Sequence, residues 1–75
     1  MFSVTIYFKD RETELTINNV VNILAETTDP HEPFQPVLPE YLFFDDDKKY
    51  IFNAGKHKVF IRGSAIQCAS IIRDE

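Results

Sequence analysis

A chain of 75 residues, 44% hydrophobic and 13% aromatic, is sized and composed for one folded domain rather than a disordered tail or a multidomain enzyme. Acids outnumber bases twelve to eight, and the net charge of −4 disfavours nonspecific capture of nucleic acid by counterion release. The single cysteine, Cys68, excludes an internal disulfide and suits a reducing compartment.

Met1-Phe2-Ser3-Val4 carries no basic stretch ahead of an apolar one, and no apolar run approaches the ~20 residues of a membrane span, so the expected location is the cytoplasm. A domain this short buries only about 60% of the surface its unfolded chain exposes. A partner subunit is the expected source of extra stability, and a homo-oligomer is the expected state.

Phe2, Val4, Ile6 and Phe8 alternate with Ser3, Thr5 and Tyr7, which predicts a half-buried strand over 2–8. Lys9-Asp10-Arg11-Glu12 reads as a charged turn, after which Leu15 and Ile17 resume the alternation as the second arm of a hairpin. Asn18-Asn19, tolerant of left-handed backbone, interrupts it. Val20-Val21-Asn22-Ile23-Leu24 reads as a strand on its β-branched content, or as a short helix capped by Asn19.

Residues 25–40 hold prolines at every third position, Pro30, Pro33, Pro36 and Pro39. Polyproline II has three residues per turn, so the four would align on one edge of an extended segment. Each also pushes its predecessor out of the helical region, which excludes a helix or a central strand. Phe34, Val37 and Leu38 are the candidate partner-binding residues: a pre-extended backbone loses little entropy on docking, on the chain's own sheet or on a neighbour. Overlapping PxxP motifs are also read by modules such as SH3 domains, but Asp29, Glu32 and Glu40 stand where such ligands commonly add a base.

Tyr41-Leu42-Phe43-Phe44 predicts a strand, Asp45 to Lys49 a turn, and Tyr50-Ile51-Phe52 the next strand. Asn53-Ala54-Gly55-Lys56 turns back into Val59-Phe60-Ile61, which Arg62-Gly63-Ser64 ends. Ser64 and Gln67 fit a capping box, and Ile66, Ala69 and Ile72 recur at a spacing of three. Residues 64–72 therefore read as a helix, or as a helical turn leading into a last strand. Phe8, Leu15 and Ile17 are echoed at the same spacing by Phe52, Val59 and Ile61, a weak internal repeat.

The expected fold is mainly β: a small, strongly bent antiparallel sheet or barrel of five to six short strands. It forms a single domain over 1–75, with 25–40 as the Pro-rich connection between two β halves. The alternative is α+β, with a short C-terminal helix at 64–72.

Catalytic chemistry finds little support. Cys68 lies in an apolar stretch apart from both histidines, and is expected to be a buried structural thiol. Ser64 lacks the elbow that exposes a nucleophile. Asp29, His31 and Glu32 have no second His or Cys nearby to complete a metal site. Asp45-Asp46-Asp47 lacks the Gly and the distal Glu of a calcium loop. No enzyme, cofactor, metal or small-molecule substrate is expected.

Charge is unevenly spread. Residues 26–47 contain acids and no Lys or Arg; residues 48–73 contain bases and no acid. Lys48, Lys49, Lys56, Lys58 and Arg62 occur among Tyr50, Phe52 and Phe60, the mixture small barrels use for single strands. Val59-Phe60-Ile61-Arg62-Gly63-Ser64 resembles the strand and Arg-Gly segment of Sm-like RNA-binding proteins, a likeness covering 59–66. That family's companion Asp and Asn hairpin motif is not matched in the first half, so its RNA pocket is not carried over.

The expected function is a non-enzymatic protein–protein interaction or assembly module, binding a protein partner or a second copy. The alternative is a single-stranded nucleic-acid-binding small β-barrel using the five cations of 48–62. A third reading is an acidic inhibitor that presents Asp45–Asp47 as a phosphate mimic.

Overall fold

The fold is mainly β, as a computed structural model describing residues 1–29, 31–38 and 43–73 shows. Seven short antiparallel strands form two sheets, and neither sheet closes into a barrel. They are β1 (Phe2–Phe8), β2 (Glu14–Val20), β3 (Asn22–Ala25), β4 (Gln35–Val37), β5 (Lys49–Ala54), β6 (His57–Arg62) and β7 (Ile66–Arg73). The first sheet has the order β2-β1-β7 and the second β4-β3-β5-β6.

The chain crosses between sheets twice. β2 and β3 are nearly continuous, separated by Val21, whose N–H donates to the Asn53 carbonyl at 2.7 Å. Just before it, the pairing with β1 steps from Val4↔Ile17 to Phe2↔Val20, which inserts an extra residue on β2. Asn19, at φ 60, takes the left-handed conformation this bulge needs. Asn18-Asn19 thus bends the strand without ending it. The second crossing is a 3-10 turn, Gly63–Ala65, between β6 and β7. The Ala65 carbonyl accepts the Lys9 N–H at 3.0 Å and ties this turn to the end of β1.

Several expectations change. The strand count is seven, because Gln35–Val37 adds an edge strand and the C-terminus adds another, while Val20 ends β2 rather than opening the strand after it. Phe43 and Phe44 lie outside any strand, and Tyr41 and Leu42 lie outside the described residues. No α-helix forms at 64–72; the other reading of this segment holds, with the 3-10 turn Gly63–Ala65 leading into a last strand. β7 instead pairs with β1 from Ser3↔Ile72 to Tyr7↔Cys68, because β1 would otherwise lack a neighbour on that side and the β-branched Ile71 and Ile72 suit a strand. The repeat does not survive in the register: Phe52 pairs with Val59, whereas Leu15 pairs with Ile6 rather than Phe8.

Cys68 is exposed, not buried. Phe8 pairs with Ile66 but Tyr7 pairs with Cys68, so Gln67 is an extra residue that reverses the inside–outside phase of β7. Ile66 is buried, while two residues later Cys68 faces out opposite Tyr7.

Phe2, Val4, Ile6, Ile17 and Val20 of the first sheet pack against Ile23, Tyr50 and Phe52 of the second, with Ile66 closing one end. Phe44 covers this core from the loop, edge-on to Tyr50 with ring centroids 4.9 Å apart.

Tyr50 and Gly63 hold the turn at 43–48. The Tyr50 hydroxyl donates to the Phe43 carbonyl at 3.1 Å and accepts the Asp45 N–H at 2.7 Å. The Gly63 N–H donates to the Lys48 carbonyl at 2.8 Å. Burial raises the Tyr50 pKa above its ordinary 10.0, the Asp45 carboxylate adds to the rise, and the hydrogen bond from Asp45 opposes it. The fold therefore favours the neutral phenol. That contribution is whole below pH 10, the unfolded value, and is lost as pH rises through the higher folded value. Tyr50→Phe strands two part-buried backbone groups and should cost about 1–3 kcal/mol at neutral pH. The same variant should flatten the fall in stability above pH 10, which urea melts at a series of pH values would measure.

Candidate functional site

Period two gives each strand of the second sheet an inner and an outer face. Ile23, Tyr50 and Phe52 point into the core, with Val59 and Ile61 packed behind them. The residues between them face outward. Pro36 pairs with Leu24, Leu24 with Ile51, and Ile51 with Phe60. One apolar row therefore crosses all four strands on the outside of the sheet. Its span is about 14 Å, three strand spacings. Phe60 is 68% exposed.

The same position on the other sheet is dressed differently. Its central outward row is Ser70, Thr5 and Thr16, with the two threonine hydroxyls 3.1 Å apart. An outward sheet face with polar side chains is ordinary in a solvated antiparallel sheet. An apolar row in the equivalent place is not required by packing.

Cations flank the row on both sides. On one side Asn22 pairs with Asn53 and Asn53 with Lys58, and the Asn53 amide donates to Asn22 Oδ1 at 2.6 Å. On the other, Lys49 stands directly opposite Arg62. Like charges opposed across a ladder repel. Among the described residues neither has an ion-pair partner. Phe34, just before β4, joins Lys49, Phe60, Ile61 and Arg62 around a cleft of about 330 Å³. Next to it, Asp46 and Asp47 share a depression of about 110 Å³ with Lys48, Lys49 and Arg62, so charge at that end is mixed.

Two candidate sets from the sequence meet here in part. Phe34 joins the cleft with Lys49 and Arg62, and Lys58 lies on the same outer face. Val37 pairs with Ile23 on the inward-facing side, and Leu38 is exposed beyond β4. Lys48 is paired to Asp45 at 3.4 Å, and Lys56 occupies the turn between β5 and β6. Of the prolines, Pro33 and Pro36 are described, while Pro30 and Pro39 lie outside the described residues. Pro36 sits in an edge strand, where a missing N–H is tolerated.

Leu24, Ile51 and Pro36 are members of the outward row that sequence reasoning missed. The signal was present: Ile23-Leu24-Ala25, Tyr50-Ile51-Phe52 and Val59-Phe60-Ile61 are apolar triplets, and the middle residue of each must face away from the core.

The other proposed chemistry is accounted for locally. The Asp29 carboxylate accepts the His31 N–H at 2.9 Å in a turn. Asp46 pairs with Lys9 at 3.2 Å and Asp45 with Lys48, which neutralises two members of the acidic triplet. Among the described residues, no three His, Cys, Asp or Glu side chains group as a metal site. No helix of the described residues is long and apolar enough to cross a membrane. No known protein family, characterised protein or solved structure matches the chain.

Proposed function

We propose that this chain is a non-enzymatic protein-binding module whose working surface is the outer face of the second sheet. The observation that carries it is the in-register row Pro36–Leu24–Ile51–Phe60, exposed at Pro36 and Phe60 and half-buried at Leu24 and Ile51, between Lys58 on one side and the Lys49–Arg62 pair on the other. Such a surface suits an extended segment that lays apolar side chains along the row and carboxylates on its flanks. Charge complementarity would set its orientation and discriminate against basic partners.

A nucleic-acid strand fits less well. Stacking needs aromatic faces, and the row has one ring among three aliphatic side chains.

The test is fluorescence anisotropy with a labelled peptide alternating Glu and Leu, its Lys–Leu counterpart, and oligo-uridine or oligo-thymidine. The acidic peptide should bind at least about tenfold more tightly than the basic one, and salt should weaken it. Phe60→Ala should weaken binding by about tenfold or more, the equivalent of one apolar side chain left unburied. An oligonucleotide that binds more tightly than the acidic peptide, and loses affinity in the same variant, would replace this reading with the nucleic-acid one.

A further inference from the structure

We infer that two copies of the chain join along the outer edge of β7, antiparallel about a two-fold axis at Ser70, making one six-stranded sheet. This edge is remote in kind from the apolar row and does not depend on it. β7 is an end strand of its sheet, so its outward N–H and C=O groups face no described strand. Open edges are normally guarded against pairing by prolines, charges, bulges or shortness. The other three edges carry such guards: β4 is three residues long with Pro36 in its middle, β6 bears His57, Lys58 and Arg62, and β2 is bent at Asn19. From Cys68 to Ile72 the β7 edge has no proline, glycine or charge, and its bulge is complete before Cys68.

The side chains select a second copy as the occupant. A two-fold contact opposes each residue to one on the same sheet face, so the axis must pass through a residue. With the axis at Ser70, Ser70 meets its own counterpart, Ala69 meets Ile71, and Cys68 meets Ile72. Each large side chain then lies against a small one on both faces. Ile72, 63% exposed in the single chain, gains a neighbour. An axis at Ile71 opposes two isoleucines on the packed face, and an axis at Ala69 runs into the bulge at Gln67.

Sedimentation equilibrium of the full chain should show a dimer at micromolar concentration. The register is read by cross-linking in a Cys68→Ser background. Ser70→Cys sets two thiols opposite each other, with Cα atoms about 4.5–5.5 Å apart, within disulfide reach. Diamide, taking two protons and two electrons from the thiol pair, should convert this variant to a covalent dimer. Ile72→Cys in the same background places its thiols four residues apart along the paired strands, about 14 Å, and should stay unlinked. Wild-type Cys68 should stay unlinked for the same reason. Ser70 and Ile72 face solvent, so circular dichroism of both variants should match the wild type. A monomer throughout the micromolar range overturns the inference. So does linking through Ile72→Cys or Cys68 as fast as through Ser70→Cys.

Discussion

Replacing Gly63 with alanine should destabilise the chain by about 3 kcal/mol or more, at the upper end of what overpacking costs. A Cβ at this position would collide with the Asp45 carbonyl and press on the Tyr50 ring. The first is backbone and the second is a buried core side chain, so neither yields by a simple change of rotamer. The collision also opens the hydrogen bond from the Gly63 N–H to Lys48 and loosens the loop that Tyr50 holds. Against a total of ~5–15 kcal/mol for a domain, the loss is large. In a chain this short it should lower the melting temperature by about 12–24 °C. Gly55 is the control. It takes φ +65 in the β5–β6 turn, and a methyl group added there would meet nothing within 4 Å, so Gly55→Ala costs backbone strain of about 1–2 kcal/mol and no collision. Thermal melts that place Gly63→Ala at or above Gly55→Ala would show that close approach at Gly63 is not what this turn needs.

The close approach at Gly63 also explains part of a likeness. Arg62-Gly63-Ser64 invites a binding interpretation as a sequence motif. In the fold its glycine is required because the 43–48 loop passes against the 3-10 turn, while its arginine faces the cleft. Two neighbours in one motif thus serve packing and surface separately.

The strand over 2–8 was legible because one of its faces is buried and the other solvated, which writes the period of two directly into Phe2, Val4 and Ile6. β7 was legible only as one of two readings, a helical turn leading into a last strand, and two features kept the helix open beside it. The Gln67 bulge breaks its period of two, and Ile66, Ala69 and Ile72 then fall by accident at a spacing of three. The same bulge exposes Cys68. The apolar row and its flanking cations were legible only as ingredients. Lys49, Lys58 and Arg62 were found as part of a basic run, but the run also contains Lys48, which is spent on Asp45, and Lys56, which sits in a turn. Separating them needs the register of β5 against β6, and the row needs the pairings of four strands at once. Pairings between distant segments are set by the packed core and leave no local pattern to read.

Phe52→Ala and Phe60→Ala should separate stability from binding. Phe52 lies on β5 and Phe60 on β6, within one hairpin, and each belongs to an apolar triplet. Phe52 is wholly buried, between Ile23 on β3 and Val59 on β6 and beneath Phe44. Its truncation removes the ring from the meeting point of the two sheets and leaves a cavity, at a cost of about 3–5 kcal/mol. For a domain near the lower end of the usual stability range, that leaves little folded protein at physiological temperature. Phe60 projects from the opposite side of the sheet into solvent. Its truncation should change stability by no more than about 0.5 kcal/mol, as for other surface substitutions. Urea denaturation followed by far-ultraviolet circular dichroism measures both. If Phe60→Ala is as destabilising as Phe52→Ala, the ring packs within the fold, and the row across the second sheet is structure rather than a binding surface. If it spares the fold and removes binding of the acidic peptide, a solvent-exposed phenylalanine has been kept for what it touches outside the chain.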